Sequence, residues 1–141
     1  MARKRGRQPN NPYTSLNVTG EKQDTFACVY EGLVKHEKFL SLPLSTRAIY
    51  IICCIHMKSK EGHTNLYMAC KENDIDPRDN MFVFPAKHMK QYGIKNRQQG
   101  YKALKELEQS GFIEVVAKNR HRHKQNIYKL SKKWKEKWKD G

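Results

Sequence analysis

Acid is scarce in this chain: of 141 residues only 14 are Asp or Glu, against 28 Lys or Arg, for a formal net charge of +14 with histidine neutral. Long apolar runs are missing too. No stretch approaches the roughly 18 residues that a membrane-spanning helix needs, so no membrane span is expected, and an acidic membrane surface for the basic ends is a weaker alternative than no membrane partner. Residues 1–8, MARKRGRQ, have the basic start of a signal peptide but lead into PNNPYTS without an apolar core, so secretion is not expected. Cysteine is limited to Cys28, Cys53, Cys54 and Cys70, with no CxxC. Buried thiols in a reducing cytosol fit that pattern better than a disulfide framework, and Asn17-Val18-Thr19 is then a chance sequon. Gly and Pro number only 8 and 5, which excludes collagen-like composition and does not suit a wholly disordered chain.

Catalytic signatures are equally thin. There is no phosphate-cradling glycine loop and no GxSxG, so no enzyme and no cofactor are expected. The acids Glu72, Asp74, Asp76 and Asp79 have DxDPxxD spacing but lack the glycine and terminal glutamate of a calcium loop. A metal-dependent nuclease built on them is the enzyme alternative, with a solvated loop the simpler reading. Cys53-x-x-His56 shares one helical face inside an apolar run, where a packed thiol and a satisfied histidine are expected rather than a metal. His121 and His123 form an HxH without nearby Cys or carboxylate ligands, and no metal is expected there.

What is present is enough for one small, basic, soluble domain: the length fits one domain and 38% of residues are apolar. The charge is unevenly placed. Residues 1–8 carry +4 and residues 118–141 carry +8, which leaves +2 for residues 9–117. A nearly neutral body with basic ends suggests a polyanion partner, although lysine-rich ends can simply favour solubility.

Along the chain, residues 1–24 read as a basic flexible arm with little to bury. Phe26, Val29, Tyr30, Leu33 and Val34 recur at helical spacing, with a short strand as the alternative. Ser45 is a plausible N-cap for the apolar run from Arg47 to Lys58, which reads as a buried central helix. Within it Ile49, Ile52, Cys53 and His56 form one stripe, and Tyr50, Cys54 and Met57 another. Residues 58–80 are polar and aperiodic and read as an exposed connection with at most a short element around Leu66 to Cys70. Phe82-Val83-Phe84 reads as a short strand, with Pro85 opening a helix that runs to Tyr92 and stops at Gly93. Asn96 to Ser110 has helical period, with Gly111 as its stop. FIEVV, the basic stretch Asn119 to Lys124, and NIYKL then read as strand, loop, strand. The chain closes on a short basic amphipathic segment with Trp134 and Trp138 four residues apart.

This order predicts a mainly α fold with a small β-hairpin wing, a winged helix-turn-helix. Its parts are the arm at 1–24, the domain at 25–131 and the C-terminal segment at 132–141. YGIKNRQQGYKALKELEQSGFIEVV followed by NIYKLSKKWK resembles winged-helix proteins of Gram-positive plasmids, phages and conjugative elements, some akin to replication-initiator domains. FLSLPLSTRAIYI and FVFPAKHM resemble earlier elements of the same family, so the likeness spans roughly residues 26–135. It implies double-stranded DNA binding, in replication or its control, with other replication or transfer proteins as possible partners and homodimers possible. It also implies that Trp134 lies against the core, while Trp138 could cover a neighbour, support a dimer or stack on a base. Gly100 departs from the family pattern, which usually has an apolar side chain there, and implies a bent helix or a close neighbour.

With Leu104 at the centre of the buried face, Gly100, Ala103 and Leu107 fall beside it, and Lys95, Gln98, Gln99, Lys102, Lys105 and Gln109 fall opposite. Gln98, Gln99 and Lys102 are the base-reading candidates, because glutamine pairs bidentately with adenine and lysine donates to guanine. Asn96 and Arg97, at the helix start, suit phosphate, and Tyr101 and Lys105 complete the helix contribution. Glu106 and Glu108 fit an ordinary solvated face instead. In the hairpin, Lys118, Arg120, Arg122 and Lys124 alternate with Asn119, His121 and His123, and the four cations, Arg120, Arg122 and Lys124 above all, are expected on phosphate or in a minor groove. A repressor on a palindromic operator and an RNA-binding module are the functional alternatives.

Overall fold

A computed structural model of the chain describes residues 25–118 and 125–135. The arm at 1–24, the hairpin tip at 119–124 and the last residues, 136–141 with Trp138, lie outside the described residues. In chain order the elements are α1 (Glu31–Val34), α2 (Glu37–Leu40), α3 (Leu44–Lys58), α4 (Lys60–Asn73), β1 (Met81–Phe82), α5 (Ala86–Gln91), α6 (Arg97–Gln109), β2 (Ile113–Ala117) and β3 (Ile127–Leu130). The architecture is mainly helical with one three-stranded antiparallel sheet of order β1-β3-β2. Among the described residues no helix is long and apolar enough to cross a membrane.

The central apolar helix forms as expected, but it begins earlier. Pro43 is its N-cap and Leu44 its first residue, with no side-chain cap, so Ser45 lies inside the first turn rather than capping it. Arg47 ties down the entry by donating from its guanidinium to the carbonyls of Leu40 and Leu42. Both expected stripes turn inward, and Ile49, Tyr50, Cys53, Cys54, His56 and Met57 are buried. α3 packs on α6, and together with Phe39, Phe112 and Trp134 they form the main core. Phe112 stacks on Trp134 at 5.5 Å and 18° while presenting its edge to Phe39 and Tyr50.

Two expectations about the helices fail more broadly. The helical face projected over residues 26–34 shrinks to α1, because Tyr30 is extended and Phe26, Val29 and Tyr30 stay exposed with no core to reward a longer helix. The connection at 58–80 is mostly α4, a helix of 14 residues. It starts at a tight corner where the Ser59 hydroxyl donates to the His56 carbonyl and accepts from the Gly62 N–H. A Cβ at position 62 would collide with that carbonyl. Gly62, Leu66, Ala69 and Cys70 are its buried residues, and Leu66, Ala69 and Cys70 meet Met81, Val83 and Ile127 in a second small core.

Strand β1 is shorter than expected, pairing Met81 with Lys129 and Phe82 with Tyr128. Val83 and Phe84 continue it without strand pairing but fully buried. β2 pairs with β3 from Ile113↔Leu130 to Ala117↔Ile127, with an irregularity between Val115 and Ala117.

Candidate nucleic-acid interface

Helices α5 and α6 are joined by a turn that the sequence dictates closely. Gly93 takes φ +85°, a conformation costly for residues with a Cβ. Its N–H reaches the Lys90 carbonyl at 3.0 Å, and the Ile94 N–H reaches that of Met89 at 2.9 Å. This double closure satisfies carbonyls left open at the end of α5, and Ile94 seals it by burying its side chain. Asn96 then caps α6: its side-chain oxygen accepts from the Gln98 N–H at 2.8 Å. That oxygen can only accept, so any phosphate contact by Asn96 falls to its N–H groups.

Gly100 sits where α6 crosses α5. A Cβ there would stand 2.5 Å from the Met89 sulfur and 2.9 Å from its methyl carbon, so the glycine permits a close crossing by a helix that is continuous from Arg97 to Gln109. With Gly100, Ala103, Leu104 and Leu107 buried, Gln98, Lys102, Lys105 and Gln109 project to solvent on the opposite side. Gln99 is also exposed but lies on a flank, one heptad before Glu106. Glu106 turns toward α3, accepting from the buried Thr46 hydroxyl at 2.5 Å. Tyr101 and Glu108 lie on the other flank, near Tyr128 of the sheet, whose phenol they push up after the larger effect of burial.

Beside the helix start lies an open concavity of about 680 Å³ lined by Lys87 and Lys90 of α5, Ile94, and the expected Lys95, Asn96 and Arg97. Lys87 and Lys90 are the members that sequence reasoning missed. Their spacing of three on one short helix is visible in the sequence, but only the fold of α5 beside the start of α6 brings them to Arg97. From Ala86 to Lys105 the chain carries six cations, Lys87, Lys90, Lys95, Arg97, Lys102 and Lys105, and no acid.

The base of the hairpin is different. Glu114 on β2 accepts from the Ser131 hydroxyl at 2.8 Å and lies 3.9 Å from Lys129 and 3.8 Å from Lys133. The Ser131 hydrogen bond, with those ammonium groups, holds its carboxyl below the usual range. These two lysines therefore already have a local anionic partner. Arg120, Arg122 and Lys124 lie outside the described residues, so the candidates brought together here are those of the turn and α6.

Below the turn, α5 is pinned by polar contacts. His88 is buried between Asn65, 2.7 Å from its Nε2, and Gln91, 3.0 Å from its Nδ1. His56 packs against it at 4.8 Å between ring centres and meets the Tyr92 hydroxyl at 3.2 Å. Cys53 is fully buried and its thiol is pushed well up by that burial, the character of packing rather than of a reactive group. Among the described residues no group of three or more His, Cys, Asp or Glu side chains could hold a metal. Comparison of the chain with family models, with curated proteins and with solved structures found no match.

Proposed function

We propose that this chain binds double-stranded DNA as a winged helix-turn-helix protein, with α5 and α6 as the helix pair and the β2–β3 hairpin as the wing. The observation that carries the reading is the acid-free run of six cations from Lys87 to Lys105, displayed around one turn and on the outer face of the helix that follows. A duplex offers phosphates at the spacing of a surface and base edges in a groove that admits one helix. α6 supplies amide and ammonium groups for the second task, and the concavity at its start supplies cations for the first. The sequence resemblance supports a role in replication or its control on a bacterial mobile element, acting in the cytoplasm and without catalysis of its own.

The test is binding of a labelled duplex by the full chain over a salt series, with structured RNA as competitor. Lys87→Ala and Lys90→Ala should each reduce the salt slope by about one, and excess duplex should displace the label far better than RNA. Unchanged slopes in both variants, or preferential displacement by RNA, would refute the reading.

A further inference from the structure

A second recess has a different character from the cationic concavity and shares no residue with it. About 670 Å³ in volume, it runs between the segment before α2 and the chain that leaves β3. Its walls are mostly apolar: Val29, Leu33, Tyr50, Cys54, Leu130 and Trp134. Val29 and Tyr30 at its lip are 38% and 74% exposed, so apolar surface remains open to solvent there. Contiguous exposed apolar surface rimmed by polar groups is characteristic of interaction sites.

The charged groups lining it are Lys132 and Lys135, and no carboxylate lines it. The three lysines of this segment are not equivalent. Lys133 is engaged by Glu114, whereas Lys132 and Lys135 have no carboxylate partner among the described residues. Lys135 lies over the Trp134 ring at 5.4 Å, leaving its charge beside the apolar floor. An apolar trough with a cationic rim is complementary to a segment that carries apolar anchors flanked by Asp or Glu. Nucleic acid fits less well, because this floor has few polar groups to receive base edges and the stacked Trp134 already has Phe112 on one face.

We propose that this groove docks an acidic, apolar-anchored peptide segment of another protein, while the α5–α6 surface remains free. The proposal builds on the DNA-binding reading only in expecting the two surfaces to work at once. The peptide contact stands or falls separately.

The experiment pans random dodecapeptides displayed on phage against the immobilised full chain, with and without saturating duplex. Enrichment of sequences with Leu, Phe or Trp beside Asp or Glu is expected, undiminished by duplex. Binding of a selected peptide should weaken about tenfold in Leu33→Glu and in the double variant K132E/K135E, since loss of a central anchor or of complementary rim charge acts at that scale. The rim lysines are exposed, so the double variant answers even where Leu33→Glu unfolds. The proposal is overturned by absence of enrichment, by enriched sequences without acid, by equal binding to K132E/K135E, or by a concentration-dependent dimer that K132E/K135E dissociates, which would make a second copy the occupant. Loss of peptide binding on adding duplex would overturn simultaneous use of the two surfaces, and failure of the chain to bind any duplex would sink the DNA reading while leaving the peptide result to stand.

Discussion

Gly100 and His56 show how single positions set the geometry of the α5–α6 pair. An alanine at 100 gains up to about 1 kcal/mol of helix propensity but meets a fully buried methionine, and overpacking costs about 1–3 kcal/mol. Gly100→Ala should therefore lose about 1 kcal/mol in chemical denaturation. In a Met89→Ala background, where the obstructing side chain is gone, the same change should become stabilising. Loss of equal size in both backgrounds would show that Met89 is not what the glycine accommodates. His56 is pushed down to about 4 by burial, with His88 adding to the effect, and its Nε2 has no hydrogen-bond partner in the structure. Below about pH 6.5 the unfolded chain takes up a proton that the folded chain refuses. Stability should consequently fall as pH drops from about 6.5 to 4, by roughly 3 kcal/mol in all from this group. His56→Phe should flatten that part of the pH profile whatever it does to absolute stability, as melting across the range would record.

At the scale of elements, three helices end the same way. At Asp74, Gly93 and Gly111 the chain turns left-handed, with φ of 56°, 85° and 87°. In each case the next residue's N–H reaches back five positions: Ile75 to Cys70, Ile94 to Met89, and Phe112 to Leu107, all at 2.9 Å. The apolar residue after each turn is buried or partly buried, which locks the stop. Asp74→Gly should stabilise by about 0.5–1 kcal/mol, because glycine adopts this conformation without a Cβ penalty. Gly93→Ala and Gly111→Ala should each lose about 1 kcal/mol or more. Gly111 should be the worse, since its Cβ would stand 2.8 Å from the Trp134 backbone nitrogen whereas nothing crowds Gly93. Thermal melting of the three variants tests the ordering.

The same comparison explains what was legible beforehand. The stops at Gly93 and Gly111 announce themselves by residue type, and Asn96 announces the start of α6, so that helix was readable nearly to its ends. The stop at Asp74 does not, and α4 hides further because its buried face is made of Gly62, Leu66, Ala69 and Cys70. Only one of these four is large, so the apolar period is faint, although positions 62, 66, 69 and 70 do follow a helical face. Ser59 three residues before Gly62 was the available signal. The candidate site was legible where the proposed contact rests on the exposed face of one strongly amphipathic helix. It was not legible where it depends on α5 being folded beside that helix start, which is what brings Lys87 and Lys90 to Arg97.

For the whole molecule, the distribution of charge matters more than its total. The stretch from Ala86 to Lys105, which carries the α5–α6 turn, contains no acid, although Glu61 of α4 lies near enough to raise the Tyr92 phenol after the larger effect of burial. The base of the hairpin neutralises two of its lysines on Glu114, and the stretch from Glu72 to Asp79 carries four acids against Arg78. On the proposed reading, the cations of Lys87 to Lys105 would attract a polyanion to this face before any base is contacted. The hairpin tip and the arm add cations from outside the described residues. The central claim is that the outer face of α6 distinguishes base edges while cations elsewhere hold phosphate. It is tested most directly by selecting bound duplexes from a random pool with the wild-type chain and with single variants over a salt series. Gln98→Ala or Lys102→Ala should cost about 1–3 kcal/mol on the enriched sequence and flatten the preference at one or two positions. Arg120→Ala and Arg122→Ala should weaken all duplexes alike, each lowering the salt slope by about one. A pool from which the wild-type chain enriches no sequence, with helix and hairpin variants losing affinity uniformly, would contradict the account and leave a non-specific binder of polyanions.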